Sequence, residues 1–199
     1  ILVTRNGGRA QGPPLRDPQG GEGIRVAVPG MKTTATLLLR LRFPHCRPVP
    51  MRFDRIPEAV IKGRVDAGVL IHEGQLTYRD LGLRKRLDFG AWWKRSTGLP
   101  LPLGLDVVRK NLGRPLARQI RRALKKSIRE AYRRLPEALG YALRYGRGLD
   151  RRRGAKFVKM YVDRRTLDLG RDGKRGLAEL YRRAAAAGLL KTAPPLTII

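Results

Sequence analysis

The chain has 199 residues, 42% of them hydrophobic, which suits one ordinary domain or two small lobes with a real core and excludes a disordered polycation. Lys and Arg number 44 against 16 Asp and Glu, a formal net charge of +28, so phosphate-bearing partners and other anions are the first binding suspects, with no specificity implied. The single Cys46 excludes an intrachain disulfide, and with only His45 and His72 beside it there is no histidine or cysteine zinc constellation.

Arg outnumbers Lys 33 to 11, which fits a coding bias as well as it fits phosphate recognition by a fork-shaped donor. No apolar run approaches the ~18 to 20 residues that span a bilayer. No charged n-region precedes an apolar h-region, and one cysteine suits a reducing compartment, so the expected location is cytoplasmic. The first residue, Ile1, stands inside what reads as a strand, "ILVTR", so the sequence is expected to enter its fold partway.

After that strand, "NGGRAQGPPLRDPQGGEG" is rich in Gly and Pro and predicts a surface loop. "IRVAVP" predicts a strand. In "GMKTTATLLLRL", Gly30 permits a tight turn, Thr33 or Thr34 can cap, and Leu37, Leu38 and Leu41 share a face of the helix that follows. "PVPMRF" (48–53) reads as a short strand, "DRIPEAVIKGR" as a helix with Asp54 near its N-cap, and "VDAGVLIH" as the next strand. This βαβαβ alternation argues for a mostly parallel sheet covered by helices, with ligands bound beyond the carboxyl ends of its strands. His72 and the turn at 33–35 both fall at such ends.

"TYRDLGL" predicts a short helical turn, "RKRLDFG" a short edge strand, "AWWKRSTG" a helix start and "LPLPLGLDVVRK" an extended crossover. From Gly113 the chain changes character. Leu116, Ile120, Leu124, Ile128, Ala131 and Leu135 recur at helical spacing, with basic residues on the other face of one long amphipathic helix. Further helices are expected over "PEALGYALRYG", "RRRGAKFVKMYVDRR" and "KRGLAELYRRAAAAGLL". Residues 113–153 hold fourteen Lys and Arg against Glu130, Glu137 and Asp150, the densest basic stretch of the chain.

Among the chemistry-bearing residues, His72 has the one side chain whose ordinary pKa suits proton transfer near neutrality, and it sits beside a ligand crevice. The bland reading is a strand-end histidine hydrogen-bonded to Glu73, which would need a bend in the chain because successive strand residues face opposite sides. "GMKTTA" offers hydroxyls and backbone N–H groups at a helix start, where carboxylate or phosphate oxygens bind, though an ordinary N-cap has the same appearance. It lacks the GxxxxGK[ST] arrangement of a P-loop. Lys32 could add an anion contact or be merely solvated. Trp92 and Trp93 are expected in the core, and the pair His45 and Cys46 lacks a third ligand or an orienting acid. The basic helix carries no aromatic platform and no helix-turn-helix or RNA-binding signature, so a solvated face is the plain reading of it.

The strings "VAVPGMKTTATLLLRL", "FDRIPEAVIKGRVDAGVLIHEGQLTY" and "LDFGAWWKRSTGLPLPLG", in this order and spacing, closely resemble the 1,4-dihydroxy-6-naphthoate synthase family of the futalosine route to menaquinone. The likeness runs from about Ile24 to the C-terminus and is strongest between Val26 and Gly104. It implies an α/β fold like the type II periplasmic binding proteins, with two lobes joined by a hinge. On that pattern residues 1–23 are a hinge strand and loop from the first lobe, 24–103 form the second lobe, and 104–199 return to C-terminal helices of the first. The family's N-terminal half-lobe, with its "SPCPNDTF"-like string, has no counterpart here, so the first lobe is expected to be incomplete at its N-terminus.

Carried over residue by residue, the resemblance makes His72 the catalytic proton acceptor and Thr34 with Ala35 the substrate-contacting pair. It implies a cytosolic lyase that converts cyclic de-hypoxanthine futalosine to the dihydroxynaphthoate and releases the sugar-derived fragment, with no metal and no organic cofactor. The expected partner is thus a small carboxylate substrate, not a membrane. Two other classes remain open on the residues themselves. One is a non-catalytic binding protein of the same fold that captures a small carboxylate, and the other is a basic protein that binds nucleic acid without sequence preference.

Overall fold

The computed structural model describes residues 1–5, 23–145 and 150–199. The loop expected over 6–23 therefore lies, except for Gly23, outside the described residues. The centre of the molecule is a five-stranded sheet built from β1 (Leu2–Arg5), β2 (Arg25–Val28), β3 (Arg47–Pro50), β4 (Ala67–Val69) and β5 (Leu83–Leu87), in the order β3-β2-β4-β1-β5. β2 pairs in parallel with β3, Val28 opposite Pro50, and with β4, Val26 opposite Ala67. β1 is antiparallel to both its neighbours, with Val3 opposite Gly68 of β4 and opposite Lys85 of β5. The other four strands thus point one way, and the expected edge strand is β5.

Strand periodicity divides the core into two layers. Leu2, Val26, Val28, Ala67 and Val69 point to one face, where α1 (Thr34–Arg42) and α4 (Phe89–Thr97) cover them with Leu38, Leu39, Phe89 and Trp93. Val3 and Ala27 point to the other, under Ile56, Ala59 and Val60 of α2 (Ile56–Ile61). Covering on both faces is what near-continuous apolar strands such as "RVAV" require.

Local chemistry starts and stops the helices. Thr33 caps α1, its hydroxyl accepting the Thr36 N–H at 3.2 Å, and Asp88 caps α4 by accepting the Ala91 N–H at 3.0 Å. Gly98 ends α4 at φ 70°, a conformation that costs glycine little. Two helix expectations shift. Leu38 and Leu39 form the buried centre of α1 with Leu37 and Leu41 at its margins, because α4 and α9 (Gly170–Ala186) flank α1 and widen its covered stripe. Asp54 does not cap α2: it stands in a 3-10 turn (Phe53–Arg55), where its carboxylate takes two hydrogen bonds from the Arg52 guanidinium, at 3.1 and 3.0 Å.

Trp93 is fully buried and donates its indole N–H to the Pro100 carbonyl at 3.2 Å, so the start of the crossover is tied to the core. Trp92 is half-buried and meets it edge-on, so the core expectation holds in full for one tryptophan and in part for the other. Residues 99–109 form the extended crossover. Beyond it lie α5 (Gly113–Arg133), α6 (Leu135–Leu143), α7 (Arg151–Tyr161), α8 (Arg164–Leu167) and α9. The apolar stripe of α5 is uncovered among the described residues: Leu116, Ile120 and Leu124 are each 40–42% exposed, and only Ala117 is buried.

Candidate active site

β2 and β4 are adjacent and parallel, so the loops leaving their carboxyl ends emerge side by side, about 4.8 Å apart at the strands. The loop after β2 is wound tightly around one acceptor. Gly30, at φ 129°, turns the chain, and its carbonyl receives the Thr33 hydroxyl at 2.9 Å and the buried Thr36 hydroxyl at 2.7 Å. Thr36 N–H is spent on Thr33, whereas the N–H groups of Thr34 and Ala35 meet no acceptor among the described residues. The first turn of α1 therefore presents open donors and the positive end of a helix, a site suited to a carboxylate or phosphate oxygen.

The loop after β4 is bent. His72 adopts φ 51°, alone among the described non-glycine residues in the left-handed region. Such a conformation costs about 1 to 3 kcal/mol outside glycine, and histidine is among the side chains that visit it more readily. The bend lets α3 (Gly74–Thr77) begin two residues later, and it turns the imidazole away from the core into an exposed position. There the ring stands edge-on to Phe53, centroids 5.0 Å apart at 64°. Phe53 follows β3, so Phe53, the pair Thr34 and Ala35, and His72 each follow the carboxyl end of one of three neighbouring parallel strands.

Glu73 takes the N-cap position of α3, where its carbonyl accepts the N–H groups of Leu76 and Thr77. The bend that Glu73 needed in order to reach His72 is present, yet no hydrogen bond joins the two side chains among the described residues. Lys32 is exposed beside the turn. Cys46 lies at the other end of the strands, beside the start of β3, and burial pushes its thiol pKa up, away from nucleophilic use. No group of three His, Cys, Asp or Glu residues is placed to hold a metal among the described residues. None of the described helices is long and apolar enough to cross a membrane.

Two features escape sequence reasoning. Gln75 donates from Nε2 to the Tyr161 hydroxyl of α7 at 2.6 Å, which ties the C-terminal helices to the His72 turn across 86 residues of chain. Nothing local signals that pairing. The second is a groove of about 320 Å³ lined by Arg42, Phe43, Arg84, Lys85, Arg86 and Leu87. It opens at the C-terminal end of α1, one helix length from Thr34 and Ala35, so this basic groove is separate from the His72 site.

An α/β sheet with an open helix start and an exposed imidazole at the ends of neighbouring parallel strands is the architecture of a small-molecule site beyond the strand ends. A family model described as menaquinone biosynthesis matches residues 7–186. A 1,4-dihydroxy-6-naphtoate synthase of Thermus thermophilus is 42% identical over 97% of this chain and 73% of its own length, and that of Streptomyces coelicolor is 36% identical over 87% and 64%. The crystal structure of an Archaeoglobus fulgidus protein superposes with a TM-score of 0.84 at 42% identity, covering 96% of this chain and 68% of the other. The chain belongs to this menaquinone biosynthesis family, as the resemblance of its sequence strings implied.

Proposed function

We propose that the protein is a 1,4-dihydroxy-6-naphthoate synthase, a lyase of menaquinone biosynthesis acting on a small carboxylate substrate, cyclic de-hypoxanthine futalosine. The two curated relatives bear that enzyme name, and the chain spans 73% and 64% of their lengths. The observation that supports the mechanism is the bend of His72, at φ 51°, out of the end of β4, the strand paired with the one that leads into α1. The free N–H groups of Thr34 and Ala35 hold the substrate's anionic end. The His72 imidazole takes a carbon-bound proton, and the electron pair left on carbon drives elimination of the sugar-derived fragment and aromatisation. A positioned base of this kind contributes on the order of 10² to 10⁴ in rate. The reaction as proposed calls on no metal and no organic cofactor, and its setting is the cytoplasm.

The finer architecture follows the same proposal. One antiparallel strand set into an otherwise parallel sheet suits the second lobe, residues 24–103, of a fold like the type II periplasmic binding proteins, with β1 in the hinge segment 1–23 feeding into it. Residues 104–199 then belong to the first lobe. The exposed stripe of α5 is the surface on which the rest of that lobe packs, and the relatives' greater length is consistent with it. The exposure of His72 fits a cleft whose opposite wall comes from that lobe; closure would exclude water from the base.

The test uses the protein expressed from its intact reading frame. Incubation with the cyclic substrate yields the dihydroxynaphthoate, and His72→Ala lowers kcat by about 10² or more. Turnover unaffected by His72→Ala refutes the assignment of the base. A ligand-dependent thermal shift without turnover identifies a non-catalytic binding protein instead.

A further inference from the structure

α7 touches the segment that follows His72 at two points, in α3 and just beyond it. Arg153, Phe157 and Tyr161 follow one another four residues apart and share one face of that helix. At one end of the face the Arg153 guanidinium meets the Asp80 carboxylate at 2.6 Å, and at the other Tyr161 accepts the hydrogen bond from Gln75 at 2.6 Å. Phe157 packs against the Tyr161 ring, centroids 4.8 Å apart, which fixes the direction in which the hydroxyl points. Gln75 is in turn tied to His72, since its backbone N–H donates to the His72 carbonyl at 3.2 Å. Burial holds the Tyr161 phenol above its ordinary pKa.

A non-glycine residue at φ 51° relaxes unless its surroundings over-determine it. Apart from α7, His72 is held by the short turn of α3 and by the contact with Phe53. Four residues of helix make a weak anchor, because one turn closes few hydrogen bonds against the entropy of forming it. The additional hold comes from α7.

We propose that Tyr161 is a positioning residue for His72, acting through Gln75 to keep the bent turn in place and the imidazole aimed at the substrate. This inference rests on the reading of His72 as the base. Proton abstraction from carbon is sensitive to small displacements of the base, whereas the substrate's anionic end is held elsewhere, on the first turn of α1. Tyr161 thus governs turnover rather than affinity.

The experiment compares Tyr161→Phe with the unaltered intact protein, because the ring and its contact with Phe157 survive in that variant. The expected result is a fall in kcat of about ten-fold or more with KM changed less than about two-fold, together with faster amide hydrogen exchange at residues 72–75 and an unchanged Tm. His72→Ala is then assayed with and without added imidazole. Whatever rate free imidazole restores is indifferent to Tyr161→Phe, since a base that is not attached to residue 72 needs no positioning of that turn. Wild-type kcat and unchanged amide exchange in Tyr161→Phe overturn the inference, as does an equal loss in the imidazole-restored rate. Full turnover by His72→Ala overturns the reading of the base instead, and the amide exchange then still decides whether α7 holds the turn.

Discussion

Gly68 of β4 lies so close beneath Ile56 of α2 that a Cβ at position 68 would stand 2.5 Å from Ile56 Cγ2, and 2.8 Å from Val60 Cγ2. The absence of a side chain lets α2 settle directly on the sheet, with Val3 and Ala27 in register on either side. Gly68→Ala is therefore an overpacking change, expected to lower stability by about 1 to 3 kcal/mol. A shift in the midpoint of urea unfolding measures it. Because β4 leads straight into His72, turnover should fall in the same variant even where it remains folded.

Thr36 is buried, and its hydroxyl donates to the Gly30 carbonyl that also receives Thr33. Thr36→Val keeps the shape and removes the donor, which should cost about 0.5 to 1.5 kcal/mol. The turn that presents the Thr34 and Ala35 N–H groups loosens with it. Steady-state kinetics should show KM rising more than kcat falls, the reverse of the pattern expected for Tyr161→Phe.

Glu179 of α9 receives the guanidinium groups of Arg182, at 2.7 and 2.8 Å, and Arg183, at 2.7 Å, and these hydrogen bonds pull its pKa from 4.5 down to about 2. Arg183 continues to the Ser96 carbonyl at 3.2 Å and lies over the Trp93 ring, so the cluster fastens α9 to α4. Above pH 4.5 the carboxylate is ionised in both the folded and the unfolded chain, and its stabilisation is complete. As pH falls from 4.5 toward 2 the unfolded chain takes up the proton first, so that stabilisation is lost. Urea midpoints for the wild type and Glu179→Gln should differ at pH 6 and converge toward pH 2.

Ile120 lies at the middle of the exposed α5 stripe, where a substitution tells whether that surface is covered in the folded protein. Ile120→Asp on a free surface changes stability by no more than about 0.5 kcal/mol. Burial against the rest of a first lobe would make the same change cost several times as much, since it leaves an unpaired charge in an apolar contact. Unfolding of the protein expressed from its intact reading frame should show the larger effect.

Much of the sheet was legible in order. Runs such as "IRVAVP" and "VDAGVLIH" carry short apolar strands, Thr33 marks a helix start, and "RKRLDFG" reads as an edge because three basic side chains in a row cannot all be buried. Asp54 misled, because a helix start and a 3-10 turn share the same local residues and the choice went to pairing with Arg52. Phe53 reaches His72 across the end of β2, a contact that strand order creates and that no spacing between positions 53 and 72 encodes.

By itself, then, the sequence determined most of the strand and helix order, the apolar alternation that packs both faces of the sheet, the family, and the position of His72 just past a strand, whereas the helical turn expected over 77–83 gives way to α3 (Gly74–Thr77) before it. The tertiary structure decided that β1 inserts antiparallel between β4 and β5, that His72 turns through a left-handed conformation, and that Tyr161 of α7 reaches that turn through Gln75. The first set follows from local sterics and the period of side chains along the chain. The second depends on contacts between segments up to 86 residues apart, whose free energy exists only once the layers have packed.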